Sequence, residues 1–228
     1  MSLAGMGAVA IWHDLLPEAK DEFYEWHNRE HMPERVGIAG FHRGRRFAAV
    51  HGAPEFFVLY ETDSAEVLSG QDYLNRLNAP SAWTRQVVPS FRNVARSIFR
   101  VNFTDGGGSG GVMLTTRFDI DAAHRKGAME ALTTRVLPPL VYRRGIAGVH
   151  LLLADETTSK VATAESKVRA DETQIPMWAI LVEGGSVPDV RAAGDVLATE
   201  LKALQATHPE TAIYRHEHTR LKTPWTAG

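Results

Sequence analysis

The feature that most constrains this chain is a short motif that occurs twice. Residues 37–42 read GIAGFH and residues 145–150 read GIAGVH, so five of six positions match at a spacing of 108 residues. Around each copy, the apolar patterns predict strands and helices in the same order. The sequence therefore predicts an internal duplication.

The spacing between matched segments grows along the chain. The expected first strands align at a spacing of 104, Gly7 with Gly111, whereas LYE at 59–61 aligns with LVE at 181–183 at a spacing of 122. A growing spacing means that the second copy carries insertions. The largest falls in the polar stretch 154–173, which we expect to be a loop.

A glycine-rich stretch separates the two copies. Residues 105–111 read DGGGSGG, a composition typical of flexible linkers. We therefore expect a first repeat over 1–104, a linker over 105–111 and a second repeat over 112–228.

Each copy reads as β-α-β-β-α-β, the order of a ferredoxin-like unit. Such a unit covers one sheet face with its helices and leaves the other face bare. We assign Tyr60, Val94 and Ile98 to the bare face of the first copy. The predicted fold class is α+β, with two ferredoxin-like repeats packed sheet to sheet and a ligand pocket enclosed between the sheets.

One stretch is unusually rich in groups that can do chemistry. Residues 26–35 read WHNREHMPER and follow a helix that should begin near Pro17. Proline disfavours helical backbone in the residue before it, so Pro33 predicts that this helix ends at Met32. By the same reasoning, Pro138 and Pro139 should end the corresponding helix of the second copy.

Three segments of the first half resemble a known superfamily. They read EWHNREHMPER at 25–35, GIAGFHRGRRF at 37–47 and YLNRLNAPSAWT at 73–84. Through them the chain resembles the dimeric α/β-barrel superfamily, and within it the EthD-like proteins. The resemblance implies a pseudo-dimeric α/β barrel formed by one chain. The superfamily includes cofactor-independent monooxygenases, polyketide cyclases, lactone isomerases, dehydratases and haem-binding enzymes, so it implies no single reaction.

His31 is the leading candidate for a catalytic residue. In the family that the chain resembles, a histidine at this helix end often faces the pocket, and a neutral imidazole can transfer protons near pH 7. We expect Arg35 or Arg46 to orient an oxyanion beside it. The competing interpretation is structural, with His31 capping the helix or pairing with Glu30 or Glu34.

Five further residues are candidates for substrate binding: His27, His42, Tyr60, Trp83 and Arg96. The aromatic ones could equally belong to the core. The arginines on the strand at 41–50 could instead be solvated charges at a strand edge that pair with Glu30, Glu34 or Glu61.

His27, Glu30 and His31 spell H-x-x-E-H, a pattern found in some zinc proteases. The two histidines share a helix face, but no later helix offers a third ligand, so we predict no metal and no cofactor. Binding of haem or a metal through His27 or His31 remains an alternative.

Composition excludes several classes of function. The chain has no cysteine, which excludes thiolate catalysis and cysteine-bound metal sites, and its net charge of −2 offers no footprint for nucleic acid or an anionic membrane. We expect a cytoplasmic protein, with a homodimer as an open alternative.

The leading hypothesis is a cofactor-independent enzyme that acts on a small apolar or aromatic metabolite. The alternative from another class is a ligand-binding or accessory module without catalysis. The sequence does not decide whether the chain is an enzyme.

Overall fold

The computed structural model describes residues 3–155, 159, 161, 163–168 and 172–222. In this part of the chain, eight antiparallel strands close into one barrel in the order β1-β3-β2-β8-β5-β7-β6-β4. The strands are β1 Gly7–Leu15, β2 Phe41–His51, β3 Phe56–Thr62, β4 Phe91–Gly106, β5 Val112–Asp119, β6 Ile146–Ala154, β7 Trp178–Gly184 and β8 Thr207–Leu221.

The helices cover the outside of the barrel. They are α1 Lys20–Trp26, α2 Met32–Gly37, α3 Gln71–Asn78, α4 Ala82–Val87, α5 Arg125–Ala131, α6 Leu137–Val141, α7 Ala164–Lys167 and α8 Val187–Ala203. A π-helical segment joins α1 to α2 at His27–His31, and a second joins α5 to α6 at Leu132–Val136. No helix among the described residues is long and apolar enough to cross a membrane.

Strand pairing establishes which residues of the two repeats are equivalent. Gly7 pairs with Thr62 between β1 and β3, and Val112 pairs with Gly184 between β5 and β7. The π segments His27–His31 and Leu132–Val136 are 105 positions apart, and the same spacing in the first strands makes the paired residues of β3 and β7 122 positions apart. The predicted duplication and the α+β fold class are confirmed, and so is the spacing of 122. The spacing of 104 predicted for the first strands was wrong by one residue.

The repeated GIAG motif does not mark equivalent positions. Gly40 and Gly145 each precede a strand and have φ values of 80° and 75°. Their carbonyl oxygens accept hydrogen bonds from the backbone N–H groups of Asp63 and Gly185. The last glycine of the first motif thus corresponds to the first glycine of the second, and the predicted spacing of 108 was wrong by three residues. The turn constrains only this one glycine, because its left-handed backbone disfavours a side chain.

The prediction that the first helix ends at Met32 was wrong. The Met32 N–H reaches back five residues to the His27 carbonyl, and α2 then continues through Pro33 to Gly37. A regular helix would bring the Pro33 ring against the carbonyl four residues earlier. The wider π turn relieves this clash. The second repeat repeats this solution at Leu137 and Pro138, so the helix predicted to end there continues as α6 to Val141.

The barrel interior is packed with side chains. It holds a buried apolar cluster that includes Trp12, Phe47, Phe57, Phe99 and Tyr214. The predicted pocket between the sheets was therefore misplaced. Tyr60, Val94 and Ile98 face the helices instead, where they are buried in two other clusters. Alternation along a strand separates its two faces, but it does not reveal which face meets the helices.

A buried ion-pair network joins the two repeats at one end of this interior. Arg45 donates two hydrogen bonds to Glu183, at 2.8 and 3.0 Å, and a third to Glu61 at 3.0 Å. Arg43 contacts Glu61 at 2.7 Å, and His150 lies 3.4 Å from Glu183. The expected pairing with Glu61 is present, but Arg45 is only 2% exposed and is not a solvated edge residue.

The network changes the acidity of Glu183. Burial by itself would raise the pKa of this carboxyl group. The hydrogen bond from His150 and the charge of Arg45 outweigh burial and lower the pKa from 4.5 to about 2.

Segment boundaries differ from the sequence-based expectations at the end of each repeat. β4 runs to Gly106, into the stretch where the linker was expected, and β8 spans Thr207–Leu221. We propose that the boundary between the repeats lies within 105–111. In the insertion at 154–173, residues 164–167 form α7, while residues 156–158, 160, 162 and 169–171 lie outside the described residues.

Replacement of Arg45 by methionine should destabilise the fold by about 3–5 kcal/mol, because it leaves two buried carboxylates without their shared cation. Urea unfolding followed by circular dichroism measures the change. Arg100→Met is the matched control: Arg100 is half exposed and pairs with Glu66 at the surface. Its cost should stay within about 1 kcal/mol. Equal losses in the two variants would show that the network contributes nothing beyond a surface pair.

Glu183→Gln should reduce stability in a pH-dependent way. The folded-state pKa of about 2 lies below the ordinary value of 4.5, so the carboxylate stabilises the fold fully above about pH 4.5. That stabilisation is lost as the pH falls through 2. Unfolding curves of the two proteins should therefore differ most near neutral pH and converge toward pH 2. A gap that stays constant over this range would contradict the assignment.

Candidate functional site

The stretch 26–35 forms the end of α1, the π segment and the first part of α2. Its buried side chains lie between these helices and the outer face of the first repeat's strands. The π segment presents His27 and His31 toward β3, where Tyr60 meets them. His31 packs against Trp26 with ring centroids 4.2 Å apart, and its ring lies 5.7 Å from that of His27. The side chains of both histidines and Tyr60 are buried. The candidate residues therefore converge, but on the helix side of the sheet.

His27 is held at both ring nitrogens. Arg46 Nη1 lies 3.1 Å from Nδ1, and Tyr60 Oη lies 3.4 Å from Nε2. Burial lowers the pKa of His27 well below its ordinary value, and the nearby His31 and Arg46 lower it further. His27 is therefore a neutral imidazole at physiological pH.

Arg46 is surrounded by acceptors. Its Nε donates to Glu217 at 2.9 Å, and its Nη1 also donates to Asn28 at 2.8 Å. The guanidinium lies over the ring of Tyr24, 4.5 Å from its centroid. These contacts leave Arg46 poorly placed to bind an oxyanion and well placed to hold His27.

Tyr60 occupies a space that a glycine provides. A Cβ atom at Gly44 of β2 would lie 2.7 Å from Cε1 of the Tyr60 ring. Phe41 packs against the same ring with centroids 6.3 Å apart. Burial raises the pKa of Tyr60 above its ordinary value, so the phenol stays protonated.

Arg35 links the two repeats on this side of the barrel. It donates to Glu34 at 2.8 Å and to Glu165 of α7, and all three side chains are largely buried. The insertion of the second repeat also bonds to α3, through Ala164 and Asn78. α7 of the insertion therefore contacts α2 and α3 on the outside of the first repeat.

The remaining predicted site residues are spread more widely. Arg96 donates to the Tyr73 hydroxyl at 3.0 Å on the helix-facing side of β4. His42 pairs with Asp63 at 2.6 Å on the surface. Trp83 donates to Glu22 and packs where α4 meets α1. Of these three, only Arg96 faces the same layer as the buried set.

The zinc-protease pattern does not assemble as a metal site. Glu30 accepts hydrogen bonds from Ser81 and Thr84 at the start of α4, so this carboxylate is engaged there. Among the described residues, no three His, Asp or Glu side chains come together in a way that could hold a metal ion.

Sequence reasoning missed four residues of this region: Gly44, Tyr73, Glu165 and Glu217. Gly44 carried a signal, because glycine within a strand often marks the close approach of another group. The two glutamates carried none, since they lie in the second repeat, 130 and 171 residues from the arginines they contact.

At five positions of the same layer, the second repeat carries aliphatic side chains where the first repeat carries polar ones. The equivalents of His27, His31, Arg35, Arg46 and Tyr60 are Leu132, Val136, Leu140, Leu151 and Val182. All five are buried in one apolar cluster. The shared backbone, including the π segment, therefore does not require the polar side chains of the first repeat.

An open groove of about 500 Å³ lies beside the buried residues, between the end of α2 and α3. Glu34, Asp72, Asn75 and Arg76 line its polar part. Glu34 also bonds to Arg35, so the groove adjoins the buried set.

Comparison with known proteins gives likenesses in structure alone. No protein-family model matches the chain, and no curated protein matches it. An anthrone oxidase-like protein matches with a TM-score of 0.65 and 13% identity, over 98% of this chain and 96% of that one. A proposed monooxygenase from Fusobacterium nucleatum matches with a TM-score of 0.61 and 9% identity, over 96% of each chain. A second, from Lactobacillus acidophilus, matches with a TM-score of 0.57 and 7% identity, over 95% and 97%. At such identities these likenesses show a shared fold across both repeats.

Gly44→Ala should displace the Tyr60 ring and destabilise the fold by about 1–3 kcal/mol, because the added Cβ would lie 2.7 Å from Cε1 of that ring. Near-UV circular dichroism and urea unfolding report the two effects. Gly127→Ala is the control: it lies in α5 with open space around it, and alanine there should stabilise the helix by about 0.5–1 kcal/mol. An unchanged tyrosine signal in Gly44→Ala would contradict the close fit.

Proposed function

We propose that this chain, which has the dimeric α/β-barrel fold with both halves in one polypeptide, is an enzyme that moves a proton on a small apolar or aromatic carbonyl compound. We place the reaction in the first repeat, where the groove between α2 and α3 adjoins the buried residues of the π segment and β3. His31 is the proton-transfer residue. The described residues of the second repeat support the barrel and form no equivalent site.

The contrast between the repeats carries this proposal. At five equivalent positions the first repeat buries histidine, arginine or tyrosine where the second buries leucine or valine. Burial of a polar side chain costs free energy that an aliphatic side chain avoids. Since the aliphatic solution exists in the same molecule, the polar set is best explained by chemistry.

The chemistry that suits the set is proton abstraction next to a carbonyl group. Such a reaction needs a base near the carbon and a hydrogen-bond donor near the oxygen. His31 takes the proton, the C–H electron pair forms a C=C bond, and the carbonyl oxygen becomes an enolate. Isomerisation and cyclisation share this step, and it also activates a substrate for cofactor-free reaction with O₂.

The arginines have supporting roles in this proposal. Arg46 is engaged by Glu217, Asn28 and His27, so we assign it to holding His27. Arg35 is engaged by Glu34 and Glu165, so we assign it to anchoring the insertion. The layer between the helices and the strands of the first repeat contains His27, Tyr60 and Arg96. His42 and Trp83 lie outside this layer.

Metal or haem ligation through His27 fits the site less well. A metal needs a free lone pair on one ring nitrogen, and the two nitrogens of His27 face Arg46 and Tyr60. A guanidinium cation beside the ring would also repel a metal cation. The proposal therefore assigns the reaction to side chains alone.

Deuterium exchange tests the proposal without knowledge of the natural substrate. The chain is incubated in D₂O with enolisable aromatic ketones, namely anthrone, 2-tetralone and 1-phenylbutane-1,3-dione. Anthrone is included because one structural neighbour is described as anthrone oxidase-like. Mass spectrometry should detect exchange faster than in protein-free buffer. His31→Val, which copies Val136 of the second repeat, should lower the enzyme-dependent rate by about 10²–10⁴-fold.

Two comparisons decide the outcome. His124→Ala changes an exposed histidine of the second repeat and should exchange at the wild-type rate. Full exchange by His31→Val would refute the assignment of the base. Saturable binding of the ketones without any exchange would favour the ligand-binding module instead.

A further inference from the structure

Only one of the two ring nitrogens of His27 can carry the N–H hydrogen of the neutral imidazole. A guanidinium can donate hydrogen bonds but cannot accept them. Because Arg46 Nη1 donates to Nδ1 at 3.1 Å, Nδ1 must present its lone pair. A neutral imidazole carries one N–H group, and here it must be on Nε2.

This tautomer determines the direction of the next hydrogen bond. The Nε2–H group faces Tyr60 Oη at 3.4 Å, so the phenol oxygen is the acceptor. The reverse direction would need a hydrogen on Nδ1, where it would point at an Arg46 N–H. The Tyr60 O–H must therefore point away from His27 and is available to donate elsewhere.

The position of Tyr60 suits a donor to the substrate. Its ring lies 6.4 Å from that of His31, so the donor and the proposed base belong to the same layer. Gly44 and Phe41 hold the ring in place. Burial keeps the phenol protonated, as a donor requires.

A carboxylate of the second repeat orients Arg46. Glu217 of β8 accepts from Arg46 Nε at 2.9 Å, and Tyr24 donates to the same carboxylate at 3.0 Å. The second repeat thus orients the guanidinium that sets the tautomer. It lacks the relay itself, since Leu132, Leu151 and Val182 occupy the equivalent positions.

We propose that Tyr60 donates the hydrogen bond to the substrate's carbonyl or enolate oxygen, and that Arg46 and Glu217 are positioning residues that fix its direction through His27. This inference rests on the proposed function, and it narrows the ligand to a molecule with an oxygen acceptor beside the acidic carbon. No proton leaves the relay: Tyr60 stabilises the charge while His31 holds the proton.

Nitrogen-15 NMR of histidine-labelled protein tests the relay without any substrate. Between pH 5.5 and 8, His27 should remain one neutral tautomer with its hydrogen on Nε2. Arg46→Leu, which copies Leu151, should give mixed tautomers, whereas Arg46→Lys keeps a donor and should restore the single form. A hydrogen on Nδ1 in the wild type, or an imidazolium within this range, would overturn the relay.

Two further measurements test the role of Tyr60. Tyr60→Phe should keep the His27 tautomer but lower the exchange rate by about 10²–10³-fold. It should also weaken binding of 1-naphthol, an analogue of the enol, by about two- to tenfold, the loss expected from one neutral hydrogen bond. Wild-type exchange by Tyr60→Phe, or no binding of 1-naphthol to the wild type, would overturn the inference.

These outcomes separate the two proposals. Exchange that is lost in His31→Val but kept in Tyr60→Phe would leave the proposed function standing and refute the donor. No exchange in any variant, together with Tyr60-dependent binding of 1-naphthol, would refute the proposed function and keep the donor.

Discussion

The barrel depends on one guanidinium that binds a carboxylate from each repeat. Arg45 lies between Glu61 and Glu183, which occupy equivalent positions in β3 and β7. The position equivalent to Arg45 itself holds His150, so the pseudo-symmetric pair supplies one permanent cation for two glutamates. Charges buried this deeply are tolerated only in paired geometry. The network therefore favours one register of the two repeats.

The filled interior moves function to the outside of the barrel. Large aromatic side chains and the ion-pair network occupy the space between the two half-sheets. The layer between helices and sheet remains, and each repeat has one. In both repeats a π segment widens the covering helix, but among the described residues only the first repeat lines that layer with imidazoles, a phenol and guanidinium groups. Duplication thus lets one half keep a stable apolar core while the other half carries the costly polar groups.

Much of the fold could be predicted from the sequence. The order of elements, the duplication, the spacing of 122 between β3 and β7 and the resemblance to the dimeric α/β-barrel superfamily at the level of the fold all agree with the structure. The errors have local physical causes. A π turn allows the helix to continue past Pro33. The two GIAG motifs match by chance at a spacing that differs from the structural one, because the turn constrains only one of their glycines.

The candidate site could be predicted in part. The many ionisable and polar side chains in the WHNREHMPER stretch indicated His27 and His31. The structure brings these two residues together with Tyr60. The functions of Arg35 and Arg46 could not be read in the same way, because their partners Glu165 and Glu217 lie in the second repeat. A side chain's role depends on which hydrogen-bond partners remain unsatisfied around it, and distant parts of the chain supply those partners.

The sequence by itself determined the repeat architecture and the candidate site residues, because periodicity, turn glycines and residue chemistry are local properties. Only the tertiary structure decided which sheet face meets the helices, which repeat supplies each counter-ion and which way the hydrogen bonds of His27 run. These depend on packing and charge compensation between segments more than a hundred residues apart, and no local pattern records them.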